Sequence, residues 1–325
     1  RFSRKLRAAR GEGGKIDIAA RFETRRNRSF VYVQSPNAGL IELDEQPPLT
    51  HDEDAVSIAL TVSALLNAKP VTLLQTMRKT VVDGSNTSGF QRTTLVATDG
   101  VLETNGGPVG IDVLCLEEDS ARKLDSELTS NGEVVTWNLD RLGIPLIEIA
   151  TAPDVKTPEH AKQTSIALGR TLRDTRRVRR GLGSIRQDLN VSIMCGDRVE
   201  IKGCQDLEWI PKIIRCEMAR QLHFYRLANQ LRANHDLPLL SDDRREESVS
   251  VQDKVSELLP QNLVDVSSKF VNCEAKRVKS GLDSGSIMLA LPLPGFNGLI
   301  GTKELDSEGS QMPRLGREFA GAAKL

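Results

Sequence analysis

The sequence predicts an α+β protein in which antiparallel strands form the sheet and helices flank it. The stretch from Gly181 to Gly203 alternates apolar and polar residues with period two and turns back on itself, as a half-buried hairpin does. Short apolar runs at Ser29 to Val33, Gly39 to Asp44, Val109 to Leu116, Val134 to Leu139 and Leu146 to Ala150 read as further strands. Helical patterns stand apart from them at Asp52 to Asn67, Thr157 to Thr175 and Leu207 to Asn234.

Taken in order, Arg1 to Arg28 is basic and polar, with a short helix expected over Asp17 to Arg26. It is either a solvated terminus or a contact to a nucleic-acid backbone. A Pro-Asn turn joins the first two strands. Asp52 to Asn67 has acids in its first turn, which complement the helix dipole, and apolar residues on most faces, so it belongs in a core. Val71 to Val82 is an extended run. Asp83 to Thr93 then gathers small and turn-forming residues. Such a loop can offer backbone N–H groups and the side chains of Ser85, Asn86, Ser88 and Arg92 to an anion, or it can be a plain surface loop. It is not a Walker A loop, because no Gly-Lys-Ser/Thr follows.

The strand from Val109 ends in Glu117-Glu118-Asp119. Three adjacent acids call for solvent or a cation, and magnesium takes one or two carboxylates while leaving room for phosphate. The alternative is a helix N-terminus at Asp119-Ser120. Glu148, between Ile147 and Ile149, is expected on the charged side of its strand. Thr157-Pro158-Glu159 opens a helix with an N-cap and a first-turn proline. The basic run Arg176-Arg177-Val178-Arg179-Arg180 follows and suggests a polyanionic partner.

In the hairpin, Ile185, Leu189, Val191 and Ile193 share one face, and Arg186, Asp188, Asn190 and Ser192 the other. A three-residue loop, Cys195-Gly196-Asp197, pairs Ser192 with Glu200, Asn190 with Lys202 and Ile193 with Val199. The polar face of Arg186, Asp188, Asn190, Glu200 and Lys202 suits phosphate, magnesium and hydroxyl groups; cross-strand ion pairs on a solvated face are the alternative. Flanking Gly181, Gly183 and Gly203 are expected to let a ligand or another backbone come close. Beyond it, Leu207 to Asn234 is a long amphipathic helix interrupted early by Pro211, and Asp236 to Asp253 reads as a linker. Val255 to Leu259 and Asn262 to Val266 open something new, Ser286 to Leu291 is a strand, and Gly281 to Gly321 is glycine-rich.

Composition narrows the function. The chain has 325 residues, 39% hydrophobic and 27% charged, enough for a buried core and for two domains or one with an appendage. Aromatics make up 4%, which argues against stacking platforms for single-stranded nucleic acid. The 44 basic and 44 acidic residues cancel, which argues against non-specific coating of nucleic acid but leaves a local basic patch open. Five cysteines without CxxC spacing read as free thiols in a reducing compartment. With no apolar run of about 18 residues and no signal peptide, a cytoplasmic protein is expected.

Several long motifs now stand in one order: Met77 to Thr93, Leu116 to Asp119, Asp140 to Ala150, Gly181 to Ile193 and Val199 to Gly203. Together they resemble the archaeal E-type subunits of glutamyl-tRNA(Gln) amidotransferase, within the GatB/GatE family, over nearly the whole chain. The asparagine-rich loop and the segment near Phe296 favour the E type over the B type. The resemblance implies an antiparallel cradle domain at 1–235, a linker at 236–255 and, at 256–325, the start of an inserted domain shared with bacterial-type aspartyl-tRNA synthetase. It implies ATP and magnesium as cofactors, Glu-tRNA(Gln) as substrate and an asparaginase-like D-type subunit as ammonia-producing partner, in a heterodimer or dimer of heterodimers. By the same resemblance Glu118 and Glu148 fall on acidic metal-site positions, with Glu117 as the alternative to Glu118.

Arg186 and Lys202 are expected to act on the transferring phosphoryl group, and Ser85, Asn86, Ser88, Arg92, Asp188, Asn190 and Glu200 to line the nucleotide site. The chain departs from the family pattern at Gly39, Leu49 and Ala152, and it begins downstream of the family's Glu-x-His metal motif. It also stops short of the domains that grip tRNA, so the fragment by itself is expected to be inactive. The competing expectation is a non-catalytic tRNA-binding or scaffold protein of the same fold.

Overall fold

The computed structural model describes residues 1–5, 14–16, 18–36, 38, 49–246, 251, 253–254, 257 and 263–297. The chain divides into two compact units, Arg1–Ile185 and Arg186–Leu325. This division by contact is distinct from the domain division expected near residue 235, which follows the family's organisation.

The first unit runs β1 (Phe2–Arg4), α1 (Ile18–Arg25), β2 (Arg28–Val33), α2 (Glu53–Leu65), β3 (Lys69–Pro70), β4 (Thr76–Thr80), β5 (Phe90–Leu102), β6 (Val109–Glu118), β7 (Arg122–Thr129), β8 (Gly132–Asn138), β9 (Pro145–Thr151) and α3 (Pro158–Asp174). Its larger sheet is antiparallel, with β5 and β9 on either side of β6, and β3 and β4 both paired to β5. Its second sheet has the order β1-β2-β8-β7, and β2 and β8 run parallel within it.

Helix α2 starts where Asp52 accepts a hydrogen bond from the Ala55 N–H at 2.8 Å, which satisfies one of the free donors of the first turn. Ala55, Ala59, Val62 and Leu66 pack against Val96, Ala97, Leu102, Ile111, Leu114 and Leu116 of the larger sheet. Ile147, Ile149, Leu168 and Leu172 extend the same core, so α2 and α3 cover one face and leave the other for polar chemistry. A second core of Phe30, Tyr32, Ala121, Val135, Trp137 and Leu139 lies on the mixed sheet.

Four strands were not legible: the short β1 and β3, and the long β5 and β7. β5 is interrupted by Asp99-Gly100 and a bulge between Leu95 and Ala97, which break the period-two pattern. β7 is an edge strand exposed along nearly its whole length, so it needs no apolar face. It also overturns the helix considered at Asp119-Ser120. There the Asp119 N–H donates to the Ile144 carbonyl at 2.8 Å, and the chain passes directly into β7. Of the extended run Val71 to Val82, Thr76–Thr80 forms the strand. The strand expected at Gly39 to Asp44 lies outside the described residues.

The second unit holds β10 (Leu189–Val191), β11 (Val199–Ile201), α4 (Ile210–Asn234), β12 (Val264–Asp265), α5 (Lys276–Asp283) and β13 (Leu289–Ala290). The hairpin register differs from the expected one. Asn190 pairs with Glu200 and Val191 with Val199, a shift of two residues that lengthens the loop. A shift of two preserves the side-chain faces. The cause is Gln221 on α4. It accepts from the Ile193 N–H at 3.2 Å and donates to the Val191 carbonyl at 3.0 Å, groups that a tighter hairpin would have paired across strands. A Cβ on Gly196 would sit 2.1 Å from the Gln221 Oε1, so the loop closes onto α4 because that residue is glycine.

Pro211 does not interrupt the long helix. A 3₁₀ turn at Leu207–Trp209 leads straight into it, and the proline falls in the first turn, where its missing N–H has no partner to lose. The start of the expected linker is docked on α4: the Leu240 N–H donates to Asn229 Oδ1 at 2.8 Å, and the Tyr225 hydroxyl donates to the Leu240 carbonyl at 3.3 Å. Of the strand expected at Ser286 to Leu291, Leu289–Ala290 pairs with Val264–Asp265. Among the described residues no helix is long and apolar enough to cross a membrane.

Candidate functional site

The register of the larger sheet decides which acids meet. Glu148 on β9 lies opposite Cys115 on β6, and Glu117, two residues on, lies opposite Thr93 of β5. Alternation along the strands places Glu148, Cys115, Glu117, Thr93 and Lys79 on the face away from α2 and α3. Glu118 points the other way, toward the side that carries Leu114 and Leu116. This corrects the pairing of Glu118 with Glu148: two neighbours in one strand cannot both face Glu148. Glu118 is instead held by the Arg92 guanidinium, and Arg92 also donates to the Leu49 carbonyl at 2.9 Å.

Glu117 is 8% exposed, and its Oε1 accepts from Lys79 Nζ at 2.6 Å and from the Thr93 hydroxyl at 2.8 Å. Burial pushes its carboxyl up. The hydrogen bonds from Lys79 and Thr93, the Lys79 charge and a hydrogen bond with Glu148 outweigh that, and Glu117 is held below the ordinary carboxylate range. Glu148 is exposed. Burial, followed by the charges of Glu148 and Glu117, pushes the Cys115 thiol up, so it stays protonated and unreactive.

Two carboxylates on one face are a donor set of the kind magnesium uses when it also holds phosphate and water, so Glu117 and Glu148 fit that ion. Lys79 and Thr93 both engage the same Glu117 oxygen, Oε1. Of the two alternatives, Glu117 and Glu118, it is Glu117 that shares the face of Glu148. Among the described residues no group of three His, Cys, Asp or Glu side chains is placed to hold a metal.

The loop Asp83 to Gly89 faces inward. Ser85 and Asn86 are buried; the Ser85 N–H and hydroxyl both donate to Asp83 Oδ1, at 2.9 and 2.7 Å. Asn86 Oδ1 accepts from the Ser120 hydroxyl at 3.0 Å, and the Ala121 N–H donates to the Ser85 carbonyl at 2.8 Å. The buried Tyr32 hydroxyl donates to the Gly84 carbonyl at 2.7 Å. These bonds fix the loop between strands and engage the side chains of Ser85 and Asn86 within the protein. Ser88 donates to the Phe90 carbonyl at 2.9 Å, and Arg92 belongs to β5 rather than to the loop.

In the second unit Arg186, Asp188, Asn190, Glu200 and Lys202 are all exposed. Lys202 Nζ lies 3.3 Å from Glu200 Oε1 and 3.8 Å from Asp188 Oδ2, and Asn190 faces Glu200 across the ladder. Leu189 and Val191 are buried on the opposite face, as the alternation predicts. Gly181, Gly183 and Gly203 take positive φ with open space where a Cβ would lie. No other described part of the chain approaches them, and their positive φ is a conformation that favours glycine.

Lys79 and Thr93 were missed as partners of Glu117. Their placement beside Glu117 depends on β5, whose alternation is broken.

An antiparallel sheet with helices on one face and a carboxylate pair on the other defines the class. The family model described as the GatB/GatE catalytic domain matches residues 21–281, and the chain belongs to this family. Its relatives include the E-type glutamyl-tRNA(Gln) amidotransferase subunit of Pyrococcus furiosus, 45% identical over 99% of this chain and 47% of the relative. The same subunit of Methanocaldococcus jannaschii is 44% identical over the same shares. That of Sulfurisphaera tokodaii is 41% identical over 100% of this chain and 49% of the relative. The chain therefore spans about half the length of the curated relatives it matches.

Proposed function

We propose that this chain carries the carboxylate-activating chemistry of a tRNA-dependent amidotransferase. The γ-carboxylate of glutamate esterified to tRNA(Gln) attacks the γ-phosphorus of ATP, and the bond to the ADP oxygen breaks. Ammonia then attacks the acyl carbon, inorganic phosphate leaves and the nitrogen sheds a proton, giving the glutaminyl ester. Ammonia would come from an asparaginase-like partner subunit, and the assembly would work in the cytoplasm.

The observation that carries the reading is the Glu117–Glu148 pair on the face of the larger sheet away from α2 and α3, in a chain whose relatives are named as amidotransferase subunits. Glu117 and Glu148 would hold magnesium, which when bound neutralises phosphate charge. Lys79 and Thr93 keep Glu117 ionised and fixed in direction. Phosphoryl transfer is mostly a matter of positioning and charge neutralisation, which a fixed carboxylate pair serves. Arg186, Asp188, Asn190, Glu200 and Lys202 of the second unit are assigned to the nucleotide or acyl phosphate. The charges of Arg186 and Lys202 suit a phosphoryl group, at the cost for Lys202 of leaving its pairs with Glu200 and Asp188.

The test is ammonium-dependent amidation of Glu-tRNA(Gln) by the full-length protein with ATP and magnesium. Glu117→Gln and Glu148→Gln should each slow it on the order of 100-fold or more, with tRNA affinity within about two-fold. Glu118→Gln should stay within a few-fold of the parent. Unchanged rates in both Glu117→Gln and Glu148→Gln would favour the scaffold reading instead.

A further inference from the structure

The first unit has an open cavity of about 580 Å³ lined by Arg122, Asp140, Arg141, Ile144 and Arg179. Three guanidinium groups and the Asp140 carboxylate line it, and a second carboxylate, Asp119 Oδ2, lies 3.8 Å from Arg141 Nε. Two of the guanidinium groups are anchored at one edge: Arg122 Nη2 donates to Asp140 Oδ2 at 2.6 Å, and Arg141 Nε donates to the Ser120 carbonyl at 3.0 Å. Arg179 is exposed, and it has no ion pair or hydrogen bond among the described residues.

The placement of Arg179 is set by its neighbour. Arg177 donates to Asp54 Oδ1 at 2.8 Å and to the Ser57 hydroxyl at 3.1 Å, which ties the basic run to α2. The run is therefore not a uniformly solvated strip. One of its arginines is an anchor, and another lines a cavity whose other arginines come from distant parts of the sequence.

A guanidinium presents a planar fork of donors that matches phosphate oxygens. An open, arginine-lined cavity suits a phosphate on a polymer that continues past it, whereas small ligands are usually enclosed. We infer that this cavity binds a backbone phosphate of the RNA substrate through Arg122, Arg141 and Arg179. The inference rests on the reading that the substrate is a tRNA. The phosphates of ATP share this chemistry, so the test must separate the two sources.

The experiment is fluorescence anisotropy of labelled tRNA(Gln) with the full-length protein across a salt series, alongside the ATP dependence of amidation. Arg179→Ala should weaken RNA binding about five- to ten-fold at low salt and reduce the slope of log K against log salt by about 0.7 to 0.9. Its melting temperature and KM for ATP should not move, and Arg179→Lys should recover part of the affinity. Unchanged RNA affinity and slope in both Arg179→Ala and Arg141→Ala would overturn the inference. A raised KM for ATP with unchanged RNA binding would overturn it too, by assigning the cavity to the nucleotide. Glu148→Gln run in parallel keeps the two claims apart: normal amidation there overturns the proposed chemistry and leaves the RNA result standing.

Discussion

Glu117 shows how a buried acid is kept charged. Burial by itself would neutralise it, but a lysine and a threonine hydroxyl both reach the same carboxylate oxygen and reverse the outcome. Because its folded pKa lies below the ordinary value of 4.5, the charged form stabilises the fold fully above that value. That contribution is lost as the pH falls through the lowered value. Glu117→Gln should therefore lower stability near neutral pH and flatten its decline on the acid side. Urea midpoints taken from neutral pH down to about pH 3 would show this, and an equally steep acid decline in the variant would count against it. Cys115, beside the same acids, takes the opposite direction because burial and the charges of Glu148 and Glu117 raise it by more than the Lys79 charge lowers it.

At the scale of elements, what the sequence revealed depended on whether the determining contacts were local. Helices α2 and α3 were legible because Asp52 and Thr157 cap them with their own side chains. The faces of the hairpin were legible because Leu189, Val191, Val199 and Ile201 alternate strictly. Its loop length was not, because Gln221 of α4 takes up two of its backbone groups. Replacing Gln221 with leucine leaves the Val191 carbonyl and the Ile193 N–H without that partner, so the second unit should lose about 2–4 kcal/mol in denaturant unfolding. A loss below about 0.5 kcal/mol would mean that the hairpin does not depend on α4. β5 and β7 escaped for opposite reasons, one through a bulge and an Asp-Gly break, the other because an exposed edge strand carries no apolar signature. The choice between Glu117 and Glu118 hung on the same register, which no single strand's pattern contains.

Over the whole molecule, zero net charge conceals an uneven distribution. Glu117 and Glu148 meet on one face of the larger sheet, while arginines from three separate stretches line a cavity of the same unit. Family membership was legible because its motifs are long and ordered along the chain. The roles of individual residues within those motifs needed the fold: it turned Ser85 and Asn86 inward and set Glu118 against Arg92. The decisive question is which carboxylates hold the cation. Electron paramagnetic resonance titration of the full-length protein with Mn²⁺, in the presence of a non-hydrolysable ATP analogue, addresses it without relying on turnover. Glu117→Gln and Glu148→Gln should each abolish the tight Mn²⁺ signal while Glu118→Gln keeps it; a signal that survives the first two changes, or vanishes with the third alone, would contradict the assignment.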